Sequence, residues 1–415
     1  MASIARKNLF EDIPRFLVAQ AGIVFAVSLV TIQTGILEGF TRSTVQLIEN
    51  SNADIWVAAE EMVHFELTQP LTLGQVAQAQ QLAGVNRAEA LMIQSGRWRS
   101  TSGEIAPVRL IGYDPDGRLF RLWDITQGNQ SDLNEPNTIM VDETNLRSLQ
   151  LDPENGRGSI NSIPARVVGQ TQGTQSIATS AFIFTSLENT MNYVSAGLTS
   201  NVLCDVQPGG ALECSTVYER SDSPADPAAS QPRTLTSTDP ISYVLVRAEA
   251  GQNIEILKQQ LEDELVGTQA YTQTEMADHT RSYWEKRTGI GFVLRLGAAV
   301  GVVVGMVVVG QILYASVSDH MKEFGTLKAM GASDRVIYSI IIEQALWMAV
   351  LGYVPSMAFC LGLGAWTFAT QGITILITPL SAIGILGITI AMCGGSALFA
   401  IQKVTHVDPA IVFKA

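Results

Sequence analysis

Four histidines, four cysteines and one acid inside an apolar stretch are the residues here whose types could do chemistry. Their spacing gathers none of them into a reaction centre. His64, His279, His320 and His406 are far apart in the chain, and no H-E-x-x-H pattern pairs two of them on one helix face. No metal site is therefore expected. There is no G-x-x-x-x-G-K-[ST] loop to cradle phosphates and no G-x-S-x-G elbow to expose a nucleophile. Glu343 stands alone near an apolar segment and is expected to face the cytoplasmic interface rather than carry an ion. No charge pairs of the proton-relay kind interrupt the apolar segments, so energy for any work must come from outside the chain. No catalytic residue is expected.

The cysteines divide by surroundings. Cys360 and Cys393 sit in apolar stretches and read as small packing residues. Cys204 and Cys214 lie ten positions apart in a polar block. If that block is exported, an oxidising space permits a disulfide between them, and two free thiols are the alternative. No further Cys or His lies near them to complete a metal site.

The elements that would carry these residues follow from charge and hydropathy. The chain has 415 residues, and only 16% are charged, against about 25% in soluble domains. Residues 41–289 hold 17 Lys and Arg against 31 Asp and Glu, a net of −14, while the remainder holds 9 against 8, a net of +1. This balance excludes a basic nucleic-acid binder, and the apolar content excludes disorder. Residues 16–37 carry no charge over 22 positions, enough for one helical crossing and too long for the apolar core of a signal peptide. Residues 296–318 are uncharged over 23 positions and residues 344–402 over 59, which fits one helix and then two joined by a turn near residues 369–372.

The fold class expected is a polytopic α-helical membrane protein with four spanning helices, one plus three, and a large exported α/β domain. The expected divisions are an N-terminal arm (1–15), a first span (16–40), the exported block (41–289) and a second span (290–318). A cytoplasmic loop (319–335), a third span (336–369), a short outer loop (370–379), a fourth span (380–402) and a tail (403–415) follow. Basic residues in the short segments set the orientation. Arg6, Lys7 and Arg15 lie in the arm, Lys322, Lys328 and Arg335 in the loop, and Lys403 and Lys414 in the tail. All three segments are expected in the cytoplasm, and the large block outside a bacterial inner membrane. Arg281, Lys286, Arg287 and Arg295 oppose this, but they follow a long translocated domain where the rule has little force.

Within the exported block, residues 70–84 read as a short helix and residues 90–99 and 105–113 as a strand pair turning at Ser102-Gly103. Residues 241–248, 252–266 and 270–274 read as strand, helix and strand. Two α/β halves are thus expected together, with a smaller β-rich insert over about 155–240 that includes strands near 165–169 and 177–184. Four prolines (Pro224, Pro227, Pro232, Pro240) mark a loop in its last part.

Three local patterns bear on function. Gly297, Gly301 and Gly305 share one face of the second span and permit close helix approach, either to a second copy or within the subunit. Residues 271–287 lack Gly and Pro and are expected to run into the second span as a rigid stalk. Residues 319–335, DHMKEFGTLKAMGASDR, mix both charges with Phe324, Leu327 and Met330, as a short helix lying on a partner protein would.

That loop resembles the cytoplasmic signature of FtsX-like ABC permeases through Glu323, Leu327, Lys328, Ala329, Gly331 and Ala332. Residues 340–355, IIIEQALWMAVLGYVP, and residues 392–413, ending VDPAIVF, resemble the DevC branch of these exporters. The one-plus-three layout is similar to that of MacB, LolC and LolE, and the exported block to their periplasmic core in layout. The resemblance implies a mechanotransmission permease working as a homodimer with a separate ATPase subunit, which would bind ATP and Mg; no cofactor is expected in this chain. Glu323, Phe324, Leu327, Lys328, Met330 and Gly331 would couple to that ATPase. It further implies contact with membrane lipid, and for the DevC branch a membrane-fusion protein, an outer-membrane duct and a lipid-like cargo. The alternatives are lipoprotein extraction, as in LolC and LolE, and signalling to a cell-wall hydrolase, as in FtsX.

Overall fold

The computed structural model describes residues 13–152, 156–195, 199–206, 212–219, 231–287, 289–372 and 374–405; for 199–206 and 212–219 the backbone alone is described. The chain divides into two compact units, Met1–Phe40 with Thr288–Ala415, and Thr41–Arg287.

The first helix, α1 (Ile13–Glu49), is one unbroken element of 37 residues. At 1.5 Å per residue it is about 55 Å long, well beyond the roughly 30 Å hydrocarbon core. The surplus is used: Val45, Leu47 and Ile48 at its end are buried in the largest core of the second unit.

That unit opens with β1 (Ile55–Ala59), β2 (Leu71–Thr72) and α2 (Gly74–Gln81). The long strand β3 (Val85–Ser100) turns through Gly103, at φ +94°, into β4 (Ile105–Tyr113). This is the expected strand pair, in register from Leu91–Tyr113 to Arg99–Ile105. Then come β5 (Ile125–Gln127), β6 (Thr138–Asp142), β7 (Arg157–Ile160), β8 (Ile163–Thr171), β9 (Ala181–Ser186) and α3 (Leu187–Ser195). A ribbon of β10 (Thr199–Val206) and β11 (Leu212–Glu219) follows, then β12 (Pro240–Ile241) and β13 (Tyr243–Ala248). The unit closes with α4 (Ile254–Glu264), β14 (Thr268–Thr272) and α5 (Gln273–Arg287). Helix α4 starts where it should: the Asn253 side chain accepts the Glu255 and Ile256 amides at 3.0 and 3.3 Å, and Leu257 and Leu261 face inward.

One ten-stranded sheet organises these elements in the order β14-β1-β13-β3-β4-β9-β6-β8-β5, with β7 bridging β3 and β8. The strands expected in a separate insert over 155–240 are therefore largely part of the main sheet. β9 pairs in parallel with β4 from Val108–Ala181 to Tyr113–Ser186. Its run, AFIFTS, is buried along almost its whole length. Such a strand finds its partner by burial far along the chain, which a polar neighbourhood conceals. Among the described residues two pairs stand outside this sheet, β10 with β11 and the short β2 with β12.

In the first unit, Gly289 adopts a left-handed conformation (φ +68°) before α6 (Ile290–Asp319). Helix α5 therefore ends before α6 begins, and the expected continuous stalk is broken there; an L side chain disfavours this conformation, so glycine permits the break. Then come α7 (Met321–Ala329), α8 (Asp334–Gln371) and α9 (Pro379–Thr405). The turn between the last two spans sits where expected. Helix α8 ends on left-handed Gly372, and α9 starts with Pro379 at its first helical position. Among the described residues four helices (α1, α6, α8 and α9) are long and apolar enough to cross a membrane.

The core of this unit is assembled from all five of its helices around Ile23, Val309, Leu313, Ile337, Ile341 and Ala397. Glycines set the spacing. A Cβ on Gly297 would stand 3.0 Å from the Gln33 side chain, on Gly301 3.2 Å from Val30, and on Gly305 2.7 Å from Ala26. The three glycines thus pack α6 on α1 of the same chain, with Met392 of α9 also against Gly305. A second set escaped notice in the sequence: Gly35 and Gly39 of α1 receive the segment at Thr374–Leu376, and the Leu376 amide donates to the Gly35 carbonyl at 3.0 Å.

Candidate functional site

The residues of the 319–335 loop form α7, a nine-residue helix too short to hold itself together in water. Its stability must come from its ends and from what it rests on. The C-terminal end is closed by a Schellman arrangement. Gly331 takes φ +93°, its amide donates to the Lys328 carbonyl at 3.1 Å, and the Ala332 amide donates to the Leu327 carbonyl at 3.0 Å. The left-handed glycine therefore stops the helix and turns the chain toward α8. Lys328 reaches across that turn to Asp334, 3.0 Å away, and both sites are partly open to solvent, so the pair fixes direction more than it adds stability.

Helix α7 rests on Phe324. This ring is 3% exposed and lies within the core formed with Val317, Ile337, Ile340 and Ile341. Leu327 packs against the same core while remaining partly open. Phe324, expected among the residues that couple to a partner, is turned into the core of its own unit. An aromatic side chain at the second turn of a short amphipathic helix is the natural anchor to its own protein. What α7 presents outward is Lys322, Glu323, Thr326, Ala329 and Met330, with Met330 72% exposed.

A second linkage lies in the other unit, where α5 is fastened to the end of α1. The Gln273 amide nitrogen donates to the carbonyls of Ile48, Glu49 and Ser51 at 2.9, 3.1 and 2.9 Å. Arg281 pairs with Glu49 at 2.8 Å. Further along α5, Tyr283 stacks on His64 with ring centroids 4.4 Å apart, and Trp284 meets the same ring edge-on. His64 lies in the loop after β1 and is 6% exposed. Its Nδ1 accepts the Glu66 amide at 3.3 Å. Burial, with Arg109 and His279 nearby, holds its pKa down at about 4. Neutral imidazole is thus part of the packing. Spacing alone gave no sign of this clasp, because His64 and Tyr283 are brought together only by the fold.

Among the described residues no group of His, Cys, Asp or Glu is arranged to hold a metal ion. Cys360 and Cys393 are buried thiols in α8 and α9. Cys204 and Cys214 occupy directly opposite positions of the β10–β11 ladder, and their side chains lie outside the described residues. So do most of the N-terminal arm and the tail from residue 406.

A unit of one plus three membrane-length helices, a large sheet domain between the first two, and a short capped helix after the second make the layout expected of an FtsX-like permease. The sequence agrees. Residues 16–264 match the MacB-like periplasmic core domain family and residues 295–409 the FtsX-like permease C-terminal family. The chain belongs to the FtsX-like permeases that carry a MacB-like periplasmic core domain. It is 30% identical over 117 residues to the macrolide export ATP-binding/permease protein MacB of Hyphomonas neptunium, a stretch that covers 28% of this chain and 18% of that relative. Among solved structures it is similar to the periplasmic region of MacB from Actinobacillus actinomycetemcomitans (11% identity, 59% of this chain, 99% of that one, TM-score 0.35). It is also similar to the extracellular domain of the ABC-type transporter YknZ from Gram-positive bacteria (13% identity, 52% and 99%, TM-score 0.32).

Proposed function

We propose that this chain is the permease subunit of an ABC exporter of the mechanotransmission type, nearest to the DevC branch. A separate ATPase subunit holds ATP and Mg and does the catalysis; two copies of the permease flank the axis of the complex. The termini and α7 face the cytoplasm of a bacterial inner membrane, and Thr41–Arg287 is periplasmic, as the distribution of Lys and Arg favours. The cargo is lipid-like or otherwise amphipathic and is handled outside the inner membrane, with a membrane-fusion protein and an outer-membrane duct completing the path.

The observation that carries the reading is the construction of α7. Phe324 anchors it to α6 and α8, a Schellman turn rigidifies its end, and Glu323 and Met330 remain free to meet a partner. A helix so held passes displacement directly to the membrane core. Helix α1, continuous from Ile13 to Glu49, supports the same reading.

Pairing of two copies is supported by α6. Its glycine face is occupied by α1 and α9, while Val293, Leu296, Val300, Val303 and Val307 are exposed. Their alternating spacing of three and four is that of a helix–helix seam.

The test substitutes the two outward residues, Glu323→Ala with Met330→Asp, in the full chain coexpressed with its ATPase. A central anchor contributes about 2 kcal/mol or more to an interface, so loss of both contacts should abolish ATPase co-purification and transport while membrane insertion persists. Full association and full transport by this variant would overturn the coupling role of α7.

A further inference from the structure

The β10–β11 ribbon carries a pair of cysteines that neither the membrane core nor the coupling helix uses. Its eight paired positions run from Thr199–Glu219 to Val206–Leu212, and the sixth pair is Cys204 with Cys214. Directly opposed residues of an antiparallel ladder have Cα atoms about 4.5 or 5.5 Å apart. Both distances fall in the range a disulfide spans, about 4.4–6.8 Å. Alternation along the strands places Val202, Cys204 and Val206 on the same face as Leu212, Cys214, Thr216 and Tyr218. The other face takes Asn201, Leu203 and Asp205 with Glu213, Val217 and Glu219. The ribbon is not paired to the main sheet among the described residues. A two-stranded ribbon alone is marginal in water.

We propose that Cys204 and Cys214 form an intrachain disulfide that staples this ribbon in the register observed. The inference rests on the periplasmic placement proposed above for the unit, because only an oxidising compartment sustains it. The bond forms by exchange with an exported dithiol oxidase in its disulfide form. One cysteine thiolate attacks a sulfur of the oxidase disulfide and releases the other oxidase sulfur as a thiolate. The second cysteine thiolate then attacks the mixed disulfide and displaces the oxidase. The permease loses two protons and two electrons, and the oxidase leaves as a dithiol. Cys360 and Cys393 are buried among the spans and take no part.

The test uses full-length protein in membranes from cells quenched with N-ethylmaleimide, with secreted alkaline phosphatase activity as the control for an oxidising periplasm. After denaturation without reductant, maleimide should mark two of the four cysteines, and after reduction all four. Digestion without reductant should yield one linked peptide containing residues 204 and 214. Four reactive thiols before reduction, or a reducible dimer linked through these positions, would overturn the proposal.

A second pair tests the register itself. In a Cys204→Ser, Cys214→Ser background, Asp205→Cys with Glu213→Cys occupies the adjacent opposed pair and should oxidise, whereas Asp205→Cys with Ser215→Cys should not. Equal oxidation of both would refute the register. Placement is checked separately by labelling intact cells at an introduced Ser102→Cys: if this site is labelled from outside and Cys204 and Cys214 remain reduced, the disulfide fails and the periplasmic placement stands. If Ser102→Cys is shielded, the placement fails first.

Discussion

Removing the ring of Phe324 should uncouple the permease without preventing its assembly. The side chain is 3% exposed and touches core residues from α6 and α8. Truncating a buried Phe to Ala costs about 3–5 kcal/mol, from lost transfer energy and the cavity left behind. The rest of the shared core is built from long helices that keep their other contacts, so the loss falls chiefly on the docking of α7. Nine residues do not sustain a helix alone. A loss of about 3 kcal/mol in docking raises the population of detached α7 roughly 100-fold, at about 1.4 kcal/mol per factor of ten. Hydrogen exchange followed by mass spectrometry reads this directly. The amides of Met330, Gly331 and Ala332, which close the C-terminal turn, should exchange roughly 100-fold faster in Phe324→Ala, while those of the buried middle of α8 should not change. Transport should fall, yet the ATPase should still co-purify, because Glu323 and Met330 are intact. Phe324→Leu should restore most of the protection. The reasoning fails if Phe324→Ala exchanges like the wild type at these three amides and transports normally.

Other perturbations read other joints. Gly305→Leu pushes a side chain into Ala26 and Met392 and should lower the melting temperature of the membrane unit in detergent, for a cost of about 1–3 kcal/mol; Gly387→Leu, where nothing lies within 4 Å of a Cβ, should be near neutral. Val303→Cys, on the exposed stripe of α6, should crosslink to itself in a second copy upon oxidation, while Val309→Cys, buried on the opposite side, should not. The His64 clasp should weaken in acid. The unfolded imidazole takes a proton near pH 6.5 and the folded one only near 4, so the contribution is whole above about 6.5 and lost as pH falls toward 4, by up to about 3 kcal/mol. Arg109, Glu66, His279 and Tyr283 face or adjoin the ring. Chemical denaturation of wild type and His64→Phe between pH 7 and 4.5 should show a steeper loss in the wild type; parallel curves would contradict this account.

The spans were legible because a membrane-crossing helix needs only length and an absence of charge, and residues 296–318 and 344–402 have both. The β3–β4 hairpin was legible from its turn, and α4 from its spacing, since both are local patterns. What the sequence concealed is non-local. The parallel partnership of β4 with β9 draws on segments about seventy residues apart, and the polar company of β9 suggested an insert rather than a sheet interior. The loop at 319–335 was visible as an amphipathic helix, but its pattern does not state which apolar residue faces inward. Phe324 and Met330 are both apolar; one is buried and the other open only because α7 meets α6 and α8 along the Phe324 side.

Glycine shows the same limit most clearly. Gly297, Gly301 and Gly305 announced close approach through their spacing, yet spacing does not say what approaches, and the neighbour is α1 rather than a second copy. Gly331 and Gly289 bear no such pattern. Both are left-handed, with nothing within 4 Å of a Cβ, so conformation rather than crowding accounts for them. At Gly331 the bend closes a helix whose last carbonyls are then satisfied. At Gly289 it interrupts what composition alone would make a continuous stalk from α5 to α6. Gly289→Ala should disfavour this left-handed turn by about 1 kcal/mol or more.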